Sequence, residues 1–367
     1  MASPLEAKLG SRAKVLLPFA LLTFVGLSAW RMWPRGPEVI TVNGPTMGTT
    51  FAVTVVADSL SDAQGAAIEA LIKDELETID KLMSNYRPDS EISRFNAHGS
   101  AEPFPLSTPM VEVLAISDEI HELSGGAFDI SIPPLLEAWG FGPNGDPEGE
   151  APTPAALEVL SGRVGQDRLT LDTEASNIRK GHPQLSIDLS AIAPGYAADR
   201  IASALEADGY SRYMVDVGGE FRVLGRNLGD QPWRIGIERP AATRADDPAL
   251  QEIVSLERGA LATSGDYRSY RELDGRRVSH TIDPRSQRPI EHHLASVTVI
   301  AEDAARADAL ATALNVLGPV EGLALADQHK LPVMMIVRDG DVFATQTTPP
   351  FDALRASADG ATIEAEP

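Results

Sequence analysis

The 367-residue chain contains no cysteine. That excludes thiol nucleophiles, disulfides, cysteine-ligated zinc and iron–sulfur clusters, and the lipid-bearing cysteine of a bacterial lipoprotein. Any catalysis must use oxygen and nitrogen groups. Aromatic residues make up only 5% of the chain, against 43% hydrophobic residues overall, a composition that suits one large globular domain or two closely packed ones. Positive charge is also short: 31 Lys and Arg stand against 53 Asp and Glu, a net charge of −22. An acidic body repels phosphate backbones and anionic lipid heads, which disfavours nucleic-acid binding and adhesion of the body to membranes. No G-x-G-x-x-G follows a strand-like run and no G-x-x-x-x-G-K-[ST] is present, so hydride-transfer and P-loop readings lose their usual support.

The first 35 residues run against this acidic trend, with Glu6 outweighed by Lys8, Arg12, Lys14, Arg31 and Arg35 for a balance of +4, which leaves −26 for the rest. Lys8, Arg12 and Lys14 precede an uncharged apolar stretch from Val15 to Trp30. This is an export signal. The stretch is short of the ~20 residues a spanning helix needs, though Met32 and Trp33 extend it at the interface and Arg31 can snorkel. No small-x-small cleavage site follows. Residues 1–35 are therefore expected to be a signal anchor in the inner membrane with the body on the periplasmic side, a cleaved signal peptide being the alternative.

Residues 36–46 read as a linker entering a first strand, and Phe51–Ala57 is rich in β-branched residues. From Ser61 on, Ile68, Leu71, Ile72, Leu76, Ile79, Leu82 and Met83 recur at helical spacing, with Ser61 and Gln64 placed for a capping box. A second helix is expected near Pro109–Leu123, stopping at Gly125-Gly126. Strand-like runs follow at Leu185–Leu189, Tyr213–Val217, Trp233–Ile237, Ser296–Ile300 and Val333–Val337, interleaved with helices around Tyr196–Ala207 and Asp303–Leu317. The expected class is α+β, mixed sheets with packed helices, over residues 36–352. Residues 353–367 read as a flexible acidic tail.

Five segments are polar and glycine-rich enough to carry chemistry. In Ser124-Gly-Gly-Ala-Phe-Asp129 glycines permit close backbone approach and Phe128 offers a ring, although, taken alone, the segment reads better as a helix stop and turn. Ser186-Ile-Asp-Leu-Ser-Ala-Ile-Ala-Pro-Gly-Tyr196 opens a helix whose first amides could hold a phosphate. Asp216-Val-Gly-Gly-Glu-Phe-Arg222 reads as a hairpin bend or a ligand contact. His280 lies among hydroxyls and a carboxylate in Ser279-His-Thr-Ile-Asp-Pro284, a neighbourhood suited to a general base or a ligand contact. Asp308 and Thr312, four apart on one helix, present a carboxylate and a hydroxyl on one face amid alanines, which suits a hard cation or an ordinary side-chain pair.

In order along residues 40 to 320, Met47-Gly-Thr49, SNYRPDSEISRFN, SGGAFD with WGFGP, SIDLSAIAPGYAADR, MVDVGGEFRVLG, ATSGDYRSY, SHTIDPRS and SVTVIAEDAARADALATAL make the chain resemble the ApbE family of FAD:protein FMN transferases. The resemblance implies Mg²⁺ as cofactor and FAD as substrate, with FMN attached covalently to a threonine of an acceptor protein and AMP released. It implies FAD contacts at Met47, Tyr86, Ala127, Phe128, Asp129, Asp188 and Ile282, and Mg²⁺ ligands at Asp308, Thr312 and the backbone carbonyl of Ala191. For that reaction His280 is the candidate general base for the threonine, the alternative being that it only positions flavin or phosphate. Acceptors would carry an S/T-G-A-T-like motif, as subunits of flavinylated redox complexes do, and Asp359-Gly-Ala-Thr362 in the tail echoes that motif. Pro194 stands where the family commonly has Lys or Glu, so a side-chain contact to FAD is lost there. The alternatives are an FAD-binding or storage protein, an FAD pyrophosphatase and a membrane-anchored assembly factor.

Overall fold

The computed structural model describes residues 36–240, 249–265, 270–273, 276–340 and 342–358. The apolar stretch 15–30 and Thr362 lie outside the described residues. Eight strands form the main sheet: β1 (Glu38–Thr46), β2 (Thr49–Ala57), β3 (Tyr213–Val217), β4 (Glu220–Leu224), β5 (Arg258–Gly265), β6 (Leu294–Ala301), β7 (Val333–Asp339) and β8 (Val342–Thr347). They lie side by side in chain order, every pair antiparallel.

Period-two alternation sends the strand side chains to opposite faces. Val53, Val55, Val215, Val217, Val297, Val299, Val333 and Met335 join the main core under the helices. Val223, Leu261, Ile300, Met334 and Ile336 face the other way, covered by a hairpin of Trp233–Arg239 and Ala249–Leu256 and by Phe351. The sheet is thus sandwiched.

The helices are α1 (Asp62–Met83), α2 (Glu91–Ala97), α3 (Thr108–Leu123), α4 (Pro133–Ala138), α5 (Pro154–Ser161), α6 (Ala193–Ala207), α7 (Ala304–Gln328) and α8 (Pro349–Ala358). Ser61 and Gln64 make the reciprocal capping box at the start of α1, which buries Ile68, Ile72, Leu76, Ile79 and Met83. Helix α6 packs against both α1 and α7, and all three pack on the sheet. Among the described residues α7 alone is long and apolar enough to cross a membrane, but more than half of it is buried in the core. A third apolar cluster joins Leu135 of α4, Trp139, Leu157 of α5, Val164 and Ile282, with Leu273 and Val278 of the hairpin Tyr270–Leu273 and Arg276–Ser279 packed on it.

Three expectations are corrected. Leu185–Leu189, with Leu185, Ile187 and Leu189 fully buried, pairs with no strand among the described residues. Side-chain amides replace the sheet neighbour: Asn96 Oδ1 accepts from Ile187 N–H at 2.8 Å, and Asn96 Nδ2 donates to the Ile187 carbonyl at 2.9 Å. The alternation was real, yet a sequence pattern cannot say who answers the backbone. The last long helix does not end at Leu317; it breaks at Gly318 (φ 74°, ψ −177°), before Pro319, and resumes to Gln328. Residues 353–358, placed at the head of a flexible tail, belong to α8, which Phe351 anchors at 1% exposure.

Candidate functional site

Helices α6 and α7 meet at their N-termini and cap each other. Asp199, on α6, accepts from the Ala304 and Ala305 N–H groups of α7 at 2.9 Å each. Asp308, on α7, accepts from Gly195 N–H of α6 at 3.2 Å. Contact this close requires glycine: a Cβ at Gly195 would stand 2.3 Å from the Ala304 carbonyl oxygen and 2.9 Å from Asp308 Cβ. Pro194 fits the first turn of α6, where a missing N–H costs little.

The contact satisfies an amide of the first turn of α6. Gly195 is the third residue of α6, so its N–H has no acceptor within the helix; it goes to Asp308, while the amides of Ala193 and Tyr196 bond Leu189 and Ile192. Ala191 O receives no hydrogen bond from the described residues. Ala191 stands just ahead of the first turn of α6, whose Gly195 meets Asp308, with Thr312 one turn further along α7.

The surroundings are acidic. Burial pushes the Asp308 carboxyl up to about 7, opposed by the Gly195 N–H and helped by the charge of Asp199. Glu220 is held well above the usual carboxylate range by burial and then by the charges of Asp308 and Asp216. Burial raises Asp199 to about 6, against the two amides that hold it. These are carboxyls short of positive charge. Arg222 Nε approaches Asp199 only to 3.6 Å. The turn Met47-Gly48 reaches the same end of the sheet, because Gly218 N–H donates to the Thr50 carbonyl and a Cβ at Gly218 would meet Thr49 Cγ2 at 3.2 Å and Glu220 Oε2 at 2.9 Å.

Two clefts flank the 127–133 segment. One of about 440 Å³ is lined by His121, Gly126, Asp129, Asp167, Pro284 and Arg285. The other, about 210 Å³, is lined by Asn85, Asn96, Leu136, Asn144, Ser186 and Asp188. Asp129 accepts from Ser131 N–H, Ser131 Oγ and Gln166 N–H at 2.7, 2.5 and 3.0 Å. Asp188 accepts from Ser190 N–H at 2.7 Å and Asn85 Nδ2 at 3.0 Å, and its own N–H donates to the Ile130 carbonyl. Arg271, 9% exposed, donates to the carbonyls of Trp139, Asp146 and Gly149 at 3.0, 3.2 and 2.5 Å. It thereby fastens the loop whose Gly142, Pro143 and Asn144 wall the smaller cleft.

The candidate residues thus divide. Ala191 lies just ahead of the α6 turn that Asp308 meets, with Thr312 on the same face of α7 and Met47 at the same end of the sheet. Asp129 and Asp188 line separate clefts. Tyr86 is 78% exposed beside Asn85, and His280 occupies the bend between the 270–279 hairpin and Ile282. Phe128 departs from expectation: its ring is buried in the main core at 2% exposure and cannot stack on a ligand. Its carbonyl accepts from His121 Nδ1 at 2.7 Å. The side chain of Ile282, also 2% exposed, packs in the third cluster, and Ala127 is buried at 1%; only their backbones are left for a ligand. Asn85, Asn96, Asp199 and Gly195 were missed as organisers. The two asparagines inside SNYRPDSEISRFN were the available signal.

The ApbE family model matches residues 47–336. This chain belongs to the ApbE family. It is 39% identical over 324 residues to the FAD:protein FMN transferase of Haemophilus influenzae, covering 86% of this chain and 92% of that protein. It is 40% identical over 314 residues to the Vibrio cholerae protein of the same name, with coverage of 86% and 92%. The apo crystal structure of Pseudomonas stutzeri flavinyl transferase ApbE superposes with a TM-score of 0.79 at 40% identity, covering 88% of this chain and 98% of that one. The mixed α+β architecture is therefore that of ApbE structures. Within it, the α6–α7 junction and the Asp188 cleft are built from the segments that mark the family in this sequence.

Proposed function

We propose that this ApbE protein is an FAD:protein FMN transferase that moves FMN from FAD onto a threonine hydroxyl of an acceptor protein. The threonine oxygen bonds to the FMN-side phosphorus, the bond from that phosphorus to the bridging oxygen breaks, and AMP leaves with that oxygen. The threonine proton must go to a base. The observation that carries this reading is the contact of buried Asp308 with the first turn of α6, just after an Ala191 carbonyl that accepts no hydrogen bond from the described residues.

Those groups fit a hard cation. Among the described residues no three carboxylates or imidazoles converge on a point, so the site suits an ion that takes one carboxylate with a carbonyl, a hydroxyl and waters, as Mg²⁺ does. Asp308, Thr312 and Ala191 O would hold it. When bound, Mg²⁺ supplies neutralising charge for the pyrophosphate and the departing AMP. Asp199 keeps the first turn of α7 in place, and Gly195 lets Asp308 reach α6. Asp188 and Asn85, tied to each other, set the wall of the smaller cleft, where the flavin nucleotide is proposed to lie. His280 takes the threonine proton in this scheme.

The acceptor carries an S/T-G-A-T-like sequence, and residues 1–35 place the enzyme on the periplasmic face of the inner membrane. Incubation with FAD, Mg²⁺ and an acceptor domain should add the mass of one FMN phosphoester to the acceptor and release one AMP. FAD retained intact would leave only a binding protein. AMP with free FMN and an unmodified acceptor would make the protein a pyrophosphatase.

A further inference from the structure

The break in α7 is itself a device. Pro319 has no N–H, so the carbonyl of Asn315, four residues earlier, has no helical partner. His292 Nε2 bonds it instead at 2.8 Å, and His292 Nδ1 accepts from Leu294 N–H at 3.3 Å. Those two contacts assign the neutral imidazole with its hydrogen on Nε2. Gly318 makes the docking possible: its φ is 74°, and a Cβ there would stand 2.6 Å from His292 Cδ2.

The side chain of the same asparagine reaches the other end of the segment. Fully buried Asn315 donates through Nδ2 to Thr281 Oγ1 at 3.3 Å. Thr281 in turn donates its N–H to Ser279 Oγ at 3.0 Å and accepts from Ile290 N–H at 3.1 Å. Thr281 follows His280 directly. Asp308, Thr312 and Asn315 sit at i, i+4 and i+7, one face of one helix, about 10 Å from end to end by helical rise. A rigid element therefore runs from the carboxylate at the α6 junction to the anchor of the residue beside His280.

We propose that Asn315 and His292 are positioning residues of the transfer reaction: the broken turn of α7 clamps the 281–292 segment and so fixes His280 relative to the Asp308–Thr312 face. This rests on the transferase reading above. Neither residue touches the reacting atoms in this scheme; each acts by keeping His280 where the threonine proton must go. Misplacement of a reacting group by about 1 Å costs on the order of 100-fold in rate.

The test uses Asn315→Leu, Thr281→Val and His292→Leu, with Thr281→Ser and His292→Gln as conservative partners. Each disruptive variant should lower kcat for FMN transfer by roughly 10- to 100-fold, with KM for FAD within about threefold of wild type. Asn315→Leu and Thr281→Val together should cost no more than the worse single change, because they break one contact. Thr281→Ser and His292→Gln should restore kcat. Hydrogen exchange of residues 279–292 should quicken in the disruptive variants alone. If Asn315→Leu fails to fold, Thr281→Val, which keeps the shape of the side chain, carries the same test. Unchanged exchange, unchanged kcat, additive effects, or a loss that follows the folded fraction and is not rescued would each overturn the clamp. Wild-type protein that binds FAD but releases no AMP would instead sink the transferase reading, whatever the exchange shows.

Discussion

Asparagine in place of Asp308 should make the metal-free protein more stable while abolishing its response to Mg²⁺. The side chains have the same shape, and an amide oxygen can still accept from Gly195 N–H, now 3.2 Å away. What changes is the charge. Asp308 is 7% exposed, and burial pushes its carboxyl up to about 7 from the usual carboxylate range near 4. Below about pH 4 both folded and unfolded chains hold the proton, and nothing is lost. Between about 4 and 7 the unfolded chain has released it and the folded chain has not, so stability falls as pH rises. Above 7 the full penalty of the buried anion is present. At about 1.4 kcal/mol per pH unit, three units set an upper bound of about 4 kcal/mol, and relaxation of the site reduces this to about 2. That corresponds to a melting temperature about 4 °C higher for Asp308→Asn at pH 8 in a chelator. At pH 5, where the native carboxyl keeps its proton, the gap should narrow. Mg²⁺ at 100 times its Kd should add about 2.7 kcal/mol to the wild type and nothing to the variant. Thermal melts at pH 5 and 8, with chelator or Mg²⁺, decide it. A folded Asp308→Asn protein that melts no higher than wild type at pH 8 without metal, or that Mg²⁺ still stabilises, would refute the reasoning.

Gly195→Ala inserts a methyl 2.3 Å from the Ala304 carbonyl oxygen; it should destabilise the fold by about 1–3 kcal/mol, read by denaturant melts, and lower Mg²⁺ affinity by moving Asp308 off α6. His280→Ala should slow transfer by about 10²–10⁴-fold with FAD affinity little changed, since a base contributes to the barrier rather than to binding; equal losses in FAD binding measured by titration would make it a binding residue. Arg271→Met removes three bonds to the 139–149 loop and should raise KM for FAD while costing about 1–3 kcal/mol; steady-state kinetics and a melt separate the two effects, and an unchanged KM would detach that loop from the FAD site. Fractionation tests the anchor: a protein found wholly soluble and starting beyond residue 30 would mean the signal is cleaved.

Much of the architecture was legible because local rules write themselves into sequence. The β-branched runs at Phe51–Ala57 and Tyr213–Val217 became β2 and β3, and the Ser61–Gln64 box starts α1 where the apolar spacing begins. The one-sided periods of strand and helix encode which face is buried, so they can be read without knowing the partner. The pairing of Asp308 with Thr312 was likewise visible, being a property of one helix. Partnership across the chain was not. Leu185–Leu189 alternates as a strand does, yet its backbone is answered by Asn85 and Asn96, about 90 to 100 residues earlier in the chain. Phe128 looked like a stacking ring and fills the core instead, because burial depends on what other elements bring to it. The bond from Gly195 N–H to Asp308, 113 residues further on, joins the start of α6 to α7, and no local pattern announces it. Sequence alone determined the faces and the candidate groups; the tertiary structure decided which of them meet, because partners far apart in the chain are chosen by the fold.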